Sequence, residues 1–174
     1  DTVIQALKHQ QTLVCPFSAN FTKQAQANLI NYTKDPDILS KLDSYTHMAE
    51  YWGRPTQILN RPDFYKDDFG IIWNRSGADK DIGIPESNVI LDIDNNDYTL
   101  PAIDEPYLRN MIETLVKTSD DRFVITGIGF SLFERAWSLA GMPQVLMAMA
   151  EDSEGLHKLF DDICEFNLKI IDIA

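Results

Sequence analysis

Phe123-Val124-Ile125-Thr126-Gly127-Ile128-Gly129-Phe130-Ser131-Leu132-Phe133-Glu134-Arg135 is the stretch on which the fold turns. Its first six positions are β-branched or apolar in unbroken succession, the pattern of a parallel strand covered on both faces. Gly129 ends the run, and Leu132 to Leu139 reads as a short helix. Met142 to Met149 reads as another. Asp152-Ser153 caps a last helix that carries Leu156, Leu159, Phe160, Ile163, Phe166 and Ile170 on one face. Toward the amino terminus, Asp104-Glu105-Pro106 sets a cap before a proline in the first helical turn. That helix runs through Leu108, Met111, Ile112 and Leu115 to about Lys117.

Asp35-Pro36 repeats the signal, and Ile38, Leu42, Tyr45, Met48, Ala49 and Trp52 follow at steps of three and four. This spacing predicts a helix to about Tyr51. Phe21 to Tyr32 is a further helix candidate. Leu13-Val14-Cys15-Pro16-Phe17 is a short apolar run that reads as a buried strand, with Pro16 near its end where a missing N–H is tolerable. Strands alternating with helices predict an α/β protein with parallel strands. Gly53 to Pro101 breaks the rhythm with Pro55, Pro62 and Pro85 and four glycines. Asn74-Arg75-Ser76-Gly77-Ala78-Asp79 is a turn signal between apolar segments, so a hairpin is expected inside this excursion. Long excursions between regular elements are often functional.

The 174 residues suggest one domain, and 44% hydrophobic content supplies one sizeable core. Fifteen Lys+Arg against 27 Asp+Glu leave a formal charge of −12, which argues against nucleic acid and anionic membrane surfaces as partners. No apolar run approaches the roughly 20 residues of a membrane span, and the start lacks the features of a signal peptide. Two cysteines are too few for a disulfide framework, so the cytoplasm is the expected compartment. The chain begins without Met and ends inside a helical pattern, the expectation being a piece of something longer.

Several groups invite chemistry. Arg135 is open to two readings: a carboxylate or phosphate clamp with Glu134 as acid or base, or half of a salt bridge on the first turn of its helix. Gly127-Ile128-Gly129 lacks the third glycine of a dinucleotide loop and the Lys-Ser/Thr of a P-loop. His9, His47 and His157 fall at no metal-ligand spacing with each other or with Cys15 and Cys164. Cys15 is expected to be a buried, inert thiol, and His47 to lie on the helix ending near Tyr51. Asp92, Asp94, Asn95, Asn96 and Asp97 lack the glycine and glutamate of a calcium loop and read as a solvated acidic loop. Asp67-Asp68-Phe69-Gly70-Ile71-Ile72-Trp73-Asn74-Arg75 offers aromatic, amide and guanidinium groups, either as a recognition surface for a planar or anionic ligand or as a plain hairpin with Trp73 in the core.

Residues Phe123 to Met142 resemble the middle of uroporphyrinogen decarboxylase-like proteins, and Leu146-Met147, Leu159-Phe160 and Phe166-Asn167 continue the likeness. Asp68-Phe69-Gly70, Trp73-Asn74-Arg75 and Asp81-Ile82-Gly83 look like a segment of the branch related to corrinoid-dependent methyltransferases. The resemblance spans most of residues 60–174. It implies a (β/α)8 TIM barrel, of which a chain this short would be only a partial, amino-terminal portion, a single partial domain over 1–174 with an inserted hairpin at about 53–101. An open strand edge would then call for the missing carboxyl-terminal half, a second copy or a partner chain.

Two activities follow from the resemblance. The methyl-transferring branch moves a methyl group between a small methylated substrate and a corrinoid, with zinc whose ligands would lie outside this chain. Phe17, Trp73, Arg75, Phe130, Phe133, Glu134, Arg135 and Trp137 would then line or support the substrate pocket, facing a corrinoid protein, and the chain alone would bind no cofactor. The alternative is the decarboxylase itself, a tetrapyrrole carboxy-lyase without cofactor. The arginine-rich segment expected after the first strand is absent, since Ser18-Ala19-Asn20-Phe21-Thr22-Lys23 stands there. Trp137 replaces a tyrosine and loses its hydroxyl. A third reading is a truncated, non-catalytic interaction module.

Overall fold

The structure is a computed structural model that describes residues 2–42, 44–77 and 80–174. The chain divides into two compact units, one of residues 1–49 and 110–127 and the other of 50–109 and 128–174.

The first unit holds α1 (Thr2–Leu7), α2 (Lys23–Thr33) and α3 (Ile38–Lys41), none of which buries a residue. Thr22 caps α2, its hydroxyl accepting from Ala25 N at 3.2 Å, and Lys34 closes it in the left-handed conformation with its N–H on Ile30 O. The unit also holds most of strand β1 (Thr46–Tyr51), of α4 (Glu105–Lys117) and of β6 (Phe123–Ile128). β1 and β6 form a two-stranded parallel sheet. Phe123 N donates to Tyr45 O at 2.9 Å and Gly129 N to Tyr51 O at 3.0 Å, so both chains advance in the same direction.

Two sequence expectations fail here. The helix predicted from Ile38 to Tyr51 stops at Lys41, and its second half is β1. Tyr45, His47, Ala49 and Tyr51 also alternate, and β6 supplies a backbone ladder that local spacing cannot reveal. Met48 and Trp52, which the helical reading turned inward, are both exposed. The strand predicted at Leu13 to Phe17 is irregular chain with Leu13 fully exposed. Phe17 O accepts one bond, from Tyr45 N at 3.0 Å, and Pro16 has no N–H to donate.

The second unit contains a four-stranded antiparallel sheet in the order β2 (Thr56–Ile58), β3 (Arg61–Lys66), β4 (Ile72–Asn74), β5 (Ile84–Pro85). β3 pairs with β4 in the register Phe64↔Asn74, Tyr65↔Trp73, Lys66↔Ile72, joined by the loop 67–71. The expected hairpin is therefore present as β4–β5, although Ala78 and Asp79 of its turn lie outside the described residues. The same unit holds α5 (Leu132–Ala140), α6 (Met142–Glu151) and α7 (Glu154–Ile173). α7 buries Leu156, Leu159, Ile163, Phe166, Asn167 and Ile170, one stripe at helical spacing. Each large apolar side chain so removed from water contributes about 1.5–3 kcal/mol before entropy is counted. The excursion is tied onto these helices: Val89 N and Ile90 N both donate to Leu139 O, at 2.7 and 3.0 Å. The Gln144 amide bonds Ile93 N and Ala140 O, each at 2.9 Å.

This architecture corrects the partial (β/α)8 barrel. Among the described residues one parallel pair is formed, β1–β6, and every pairing of the larger sheet is antiparallel. The run at Phe123 is also not sealed on both faces, since each of its six residues keeps some exposure. The short, proline- and glycine-rich segments between Gly53 and Pro101 pair with each other instead of lying as loops on a barrel rim.

Candidate functional site

Among its described residues the second unit buries one ion pair, and it is built by a turn. Asp67, at the end of β3, turns its carboxylate back into its own loop. Oδ1 accepts from Phe69 N at 3.0 Å and Ile71 N at 2.9 Å, while Oδ2 accepts from the indole Nε1 of Trp73 at 2.9 Å. Asp67 N donates to Ile71 O, and Gly70 N to Asp67 O with Gly70 at φ +86°, where a side chain would be strained. The loop so fixed presents the ring of Phe69 to α5.

Arg135 projects from the first turns of α5 and is 3% exposed. Its Cζ sits 3.5 Å from the centroid of Phe69 and 5.4 Å from that of Phe130. Nη1 approaches Asp67 Oδ2 to 3.8 Å, close enough for Coulomb attraction but too far for a hydrogen bond. Guanidinium N–H groups point outward in the plane of the group. A ring on the face of the cation attracts its charge and leaves those N–H groups unsatisfied. Among the described residues Nη1 accordingly has no hydrogen-bond partner. A buried donor left in that state costs about 1–3 kcal/mol, and more when charged.

Burial shifts both partners toward neutrality. It lowers Arg135 to about 10, against the pull of Asp67. It raises Asp67, opposed by the bonds from Trp73 and Ile71, by Arg135 and by the bond from Phe69. Arg135 is still a cation at neutral pH.

Beside Arg135 is a narrow crevice with no room for a water molecule. Its walls are Tyr51, Phe69, Leu100, Ile128, Phe130, Ile163, Phe166, Asn167 and Ile170. A second, open groove of about 610 Å³ runs between residues 99–105 and α7. Leu100 and Phe166 line both spaces. At the rim, Asp68 Oδ2 accepts from the Tyr51 hydroxyl at 3.3 Å and from Arg54 N at 3.0 Å, and Arg54 Nη1 reaches Asp104 at 2.5 Å. The Asp68 carboxylate, by hydrogen bond and charge, holds Arg54 above its usual range.

Four of the eight residues expected to form a pocket come together. Phe130 has Trp52, Trp73 and Trp137 around it at centroid distances of 5.0, 5.5 and 6.0 Å, and Arg135 completes the group. The other four do not join them. Phe17 belongs to the first unit and sets its ring edge on Tyr45 at 5.7 Å. Arg75 stacks on Tyr65 at 4.5 Å and donates from Nε to Ile82 O. Phe133 and Glu134 are exposed in the first turn of α5. The carboxylate facing Arg135 is therefore Asp67, not Glu134.

Asp67 lies in a segment singled out from the sequence, but nothing local marked it as the partner of Arg135. Tyr98 carries no signal in the sequence, Tyr51 only the end of the expected helix, and Asn167 only a place in the resemblance. Cys15, expected to be buried, is exposed, as is Cys164. His47 lies on β1, with Nδ1 3.2 Å from Ser119 Oγ. Among the described residues no helix is long and apolar enough to cross a membrane. Comparison with protein-family models, with curated proteins and with solved structures finds no match for the chain.

Proposed function

We propose that the second unit binds a small methylated compound beside Arg135, as the substrate-holding part of a methyl-transferring enzyme of the uroporphyrinogen decarboxylase-like kind. The chemistry rests on the resemblance carried by Phe123 to Met142 and by the segments around Asp68 and Trp73. The observation that carries a binding role is the buried guanidinium whose Nη1 has no hydrogen-bond partner among the described residues. Uncompensated polar groups of this kind call for a ligand or a functional reason.

The receiving corrinoid would arrive on a partner protein, and the residues here hold, orient and desolvate the methyl donor. The zinc such chemistry implies does not fit these residues: among those described, no three His, Cys, Asp or Glu side chains group as ligands. No step is derived through it.

The chain's three tryptophans all surround Phe130, which makes intrinsic fluorescence a reporter of this site. Titration with a panel of small O-methyl and N-methyl compounds is expected to change the emission saturably. Arg135→Met, checked for folding by circular dichroism, should weaken the response at least tenfold. A panel in which no member shifts either the emission or the melting temperature would end this reading.

A further inference from the structure

We propose that the open groove between residues 99–103 and α7 docks a short extended peptide of a partner protein, one in which apolar and basic residues alternate. The groove serves this role whether or not a methylated compound binds beside Arg135.

Three features select that occupant. The first is length. The α7 side of the groove runs from Lys158 to Ile173, about 22 Å along the helix. Spread over that distance, a volume of about 610 Å³ is a narrow trench instead of a bowl for a compact ligand. An extended chain rises about 3.3 Å per residue, so about seven residues span it.

The second is an unpaired backbone. On the facing wall, no backbone N–H or C=O of Thr99, Leu100 or Ala102 has a hydrogen-bond partner among the described residues. Pro101 holds an extended φ and biases Leu100 before it toward the same region. A segment of this kind can pair with an incoming strand, whose main-chain bonds supply affinity while alternate side chains supply specificity.

The third is the side-chain lining. Leu100, Ile103, Phe166 and Ile173 are apolar, and Phe166 is buried, so they receive an apolar side chain at every second position of the peptide. On α7, Lys158, Asp162, Glu165, Lys169 and Asp172 follow at steps of four and three and form one charged row. Lys158 is engaged with Asp162 at 2.8 Å. Glu165, Lys169 and Asp172 enter no ion pair among the described residues, which leaves two carboxylates to one ammonium. Basic residues at the remaining positions of the peptide complement that excess.

The test is fluorescence anisotropy of a fluorescein-labelled peptide of about seven residues, leucine alternating with lysine, titrated with the whole chain. It is run at about 150 mM salt, where the general attraction of a chain of formal charge −12 is screened beyond about 8 Å. A saturable rise is expected. A peptide of the same composition with its leucines in one block, and the alternating peptide N-methylated along its backbone, should each bind at least tenfold more weakly. Glu165→Lys/Asp172→Lys should also weaken binding at least tenfold. Glu151→Lys/Asp161→Lys changes the net charge equally at residues outside the groove lining and should leave binding within twofold. Circular dichroism checks that both variants fold. Equal losses in the two variants would reduce the binding to net charge and overturn the groove as its site. Undiminished binding of the blocked or the N-methylated peptide would overturn the extended, backbone-paired mode. Absence of a saturable rise would remove the docking role altogether.

Discussion

Two tyrosines brace the Asp67 loop. The Tyr98 hydroxyl donates to Phe69 O at 3.0 Å, and that of Tyr51 to Asp68 Oδ2 at 3.3 Å. Burial raises each phenol to about 12, helped for Tyr51 by the charge of Asp68, and opposed for Tyr98 by Arg135. The sign of the resulting pH effect follows. Below the ordinary phenol value of about 10, folded and unfolded chains both keep these protons and the tyrosines contribute fully. Between about 10 and about 12 the unfolded chain alone releases them, so their contribution is lost as pH rises through that window. Arg135, lowered to about 10, acts oppositely over the same window, but as one group against two. The melting temperature is therefore expected to fall between pH 10 and pH 12. Absorbance of ionised tyrosine near 295 nm should show two of the six tyrosines titrating late, a phase abolished in Tyr51→Phe/Tyr98→Phe. A titration in which all six ionise together near 10 would contradict the burial of both. None of this was legible in sequence, where neither tyrosine belongs to a motif and burial depends on segments far apart in the chain.

At the scale of elements, α7 shows how local signals and distant contacts combine. The Ser153 hydroxyl accepts from Leu156 N at 3.1 Å, as the sequence led one to expect of an N-cap. The same hydroxyl donates to Asp94 Oδ1, which also takes Gly155 N at 3.2 Å. Asp94 thus serves the helix start, where the acidic loop was read as merely solvated. Ser153→Ala should cost about 1–2 kcal/mol in denaturant unfolding. Gly→Ala inside a helix ordinarily stabilises by up to about 1 kcal/mol. Gly155→Ala should instead destabilise, and by more than Ser153→Ala, because its new methyl would overlap Ile93 O and stand 2.7 Å from the Asp94 Cα. A stabilised Gly155→Ala would mean the 93–94 segment yields freely. The helices α4 to α7 were readable because apolar stripes, and the caps of α4 at Asp104 and of α7 at Ser153, are local. β1 was not, because over so few residues helical and alternating spacing coincide, and a strand on another part of the chain decided between them.

For the molecule as a whole, the formal charge of −12 works against compactness. The exposed ion pairs, such as Lys117–Glu113 and Lys158–Asp162, contribute little each. Screening the net repulsion should outweigh screening those pairs, so the melting temperature is expected to rise between about 20 and 300 mM salt, beyond the first Debye lengths. A fall would show that the pairs dominate. The amino-acid sequence alone determined the charge, the helices α2 and α4 to α7, the Ser153 cap, the strand at Phe123 and the prominence of Trp73, Phe130, Arg135 and Trp137, since propensity, periodicity and composition are written in neighbouring residues. Only the tertiary structure decided that the sheets are a parallel pair and a separate antiparallel four instead of a piece of barrel. Only it brought Asp67 to Arg135 and left one edge of that cation unmet. Pairing between distant strands and the desolvation of a charge are sums over contacts that no short stretch of chain contains.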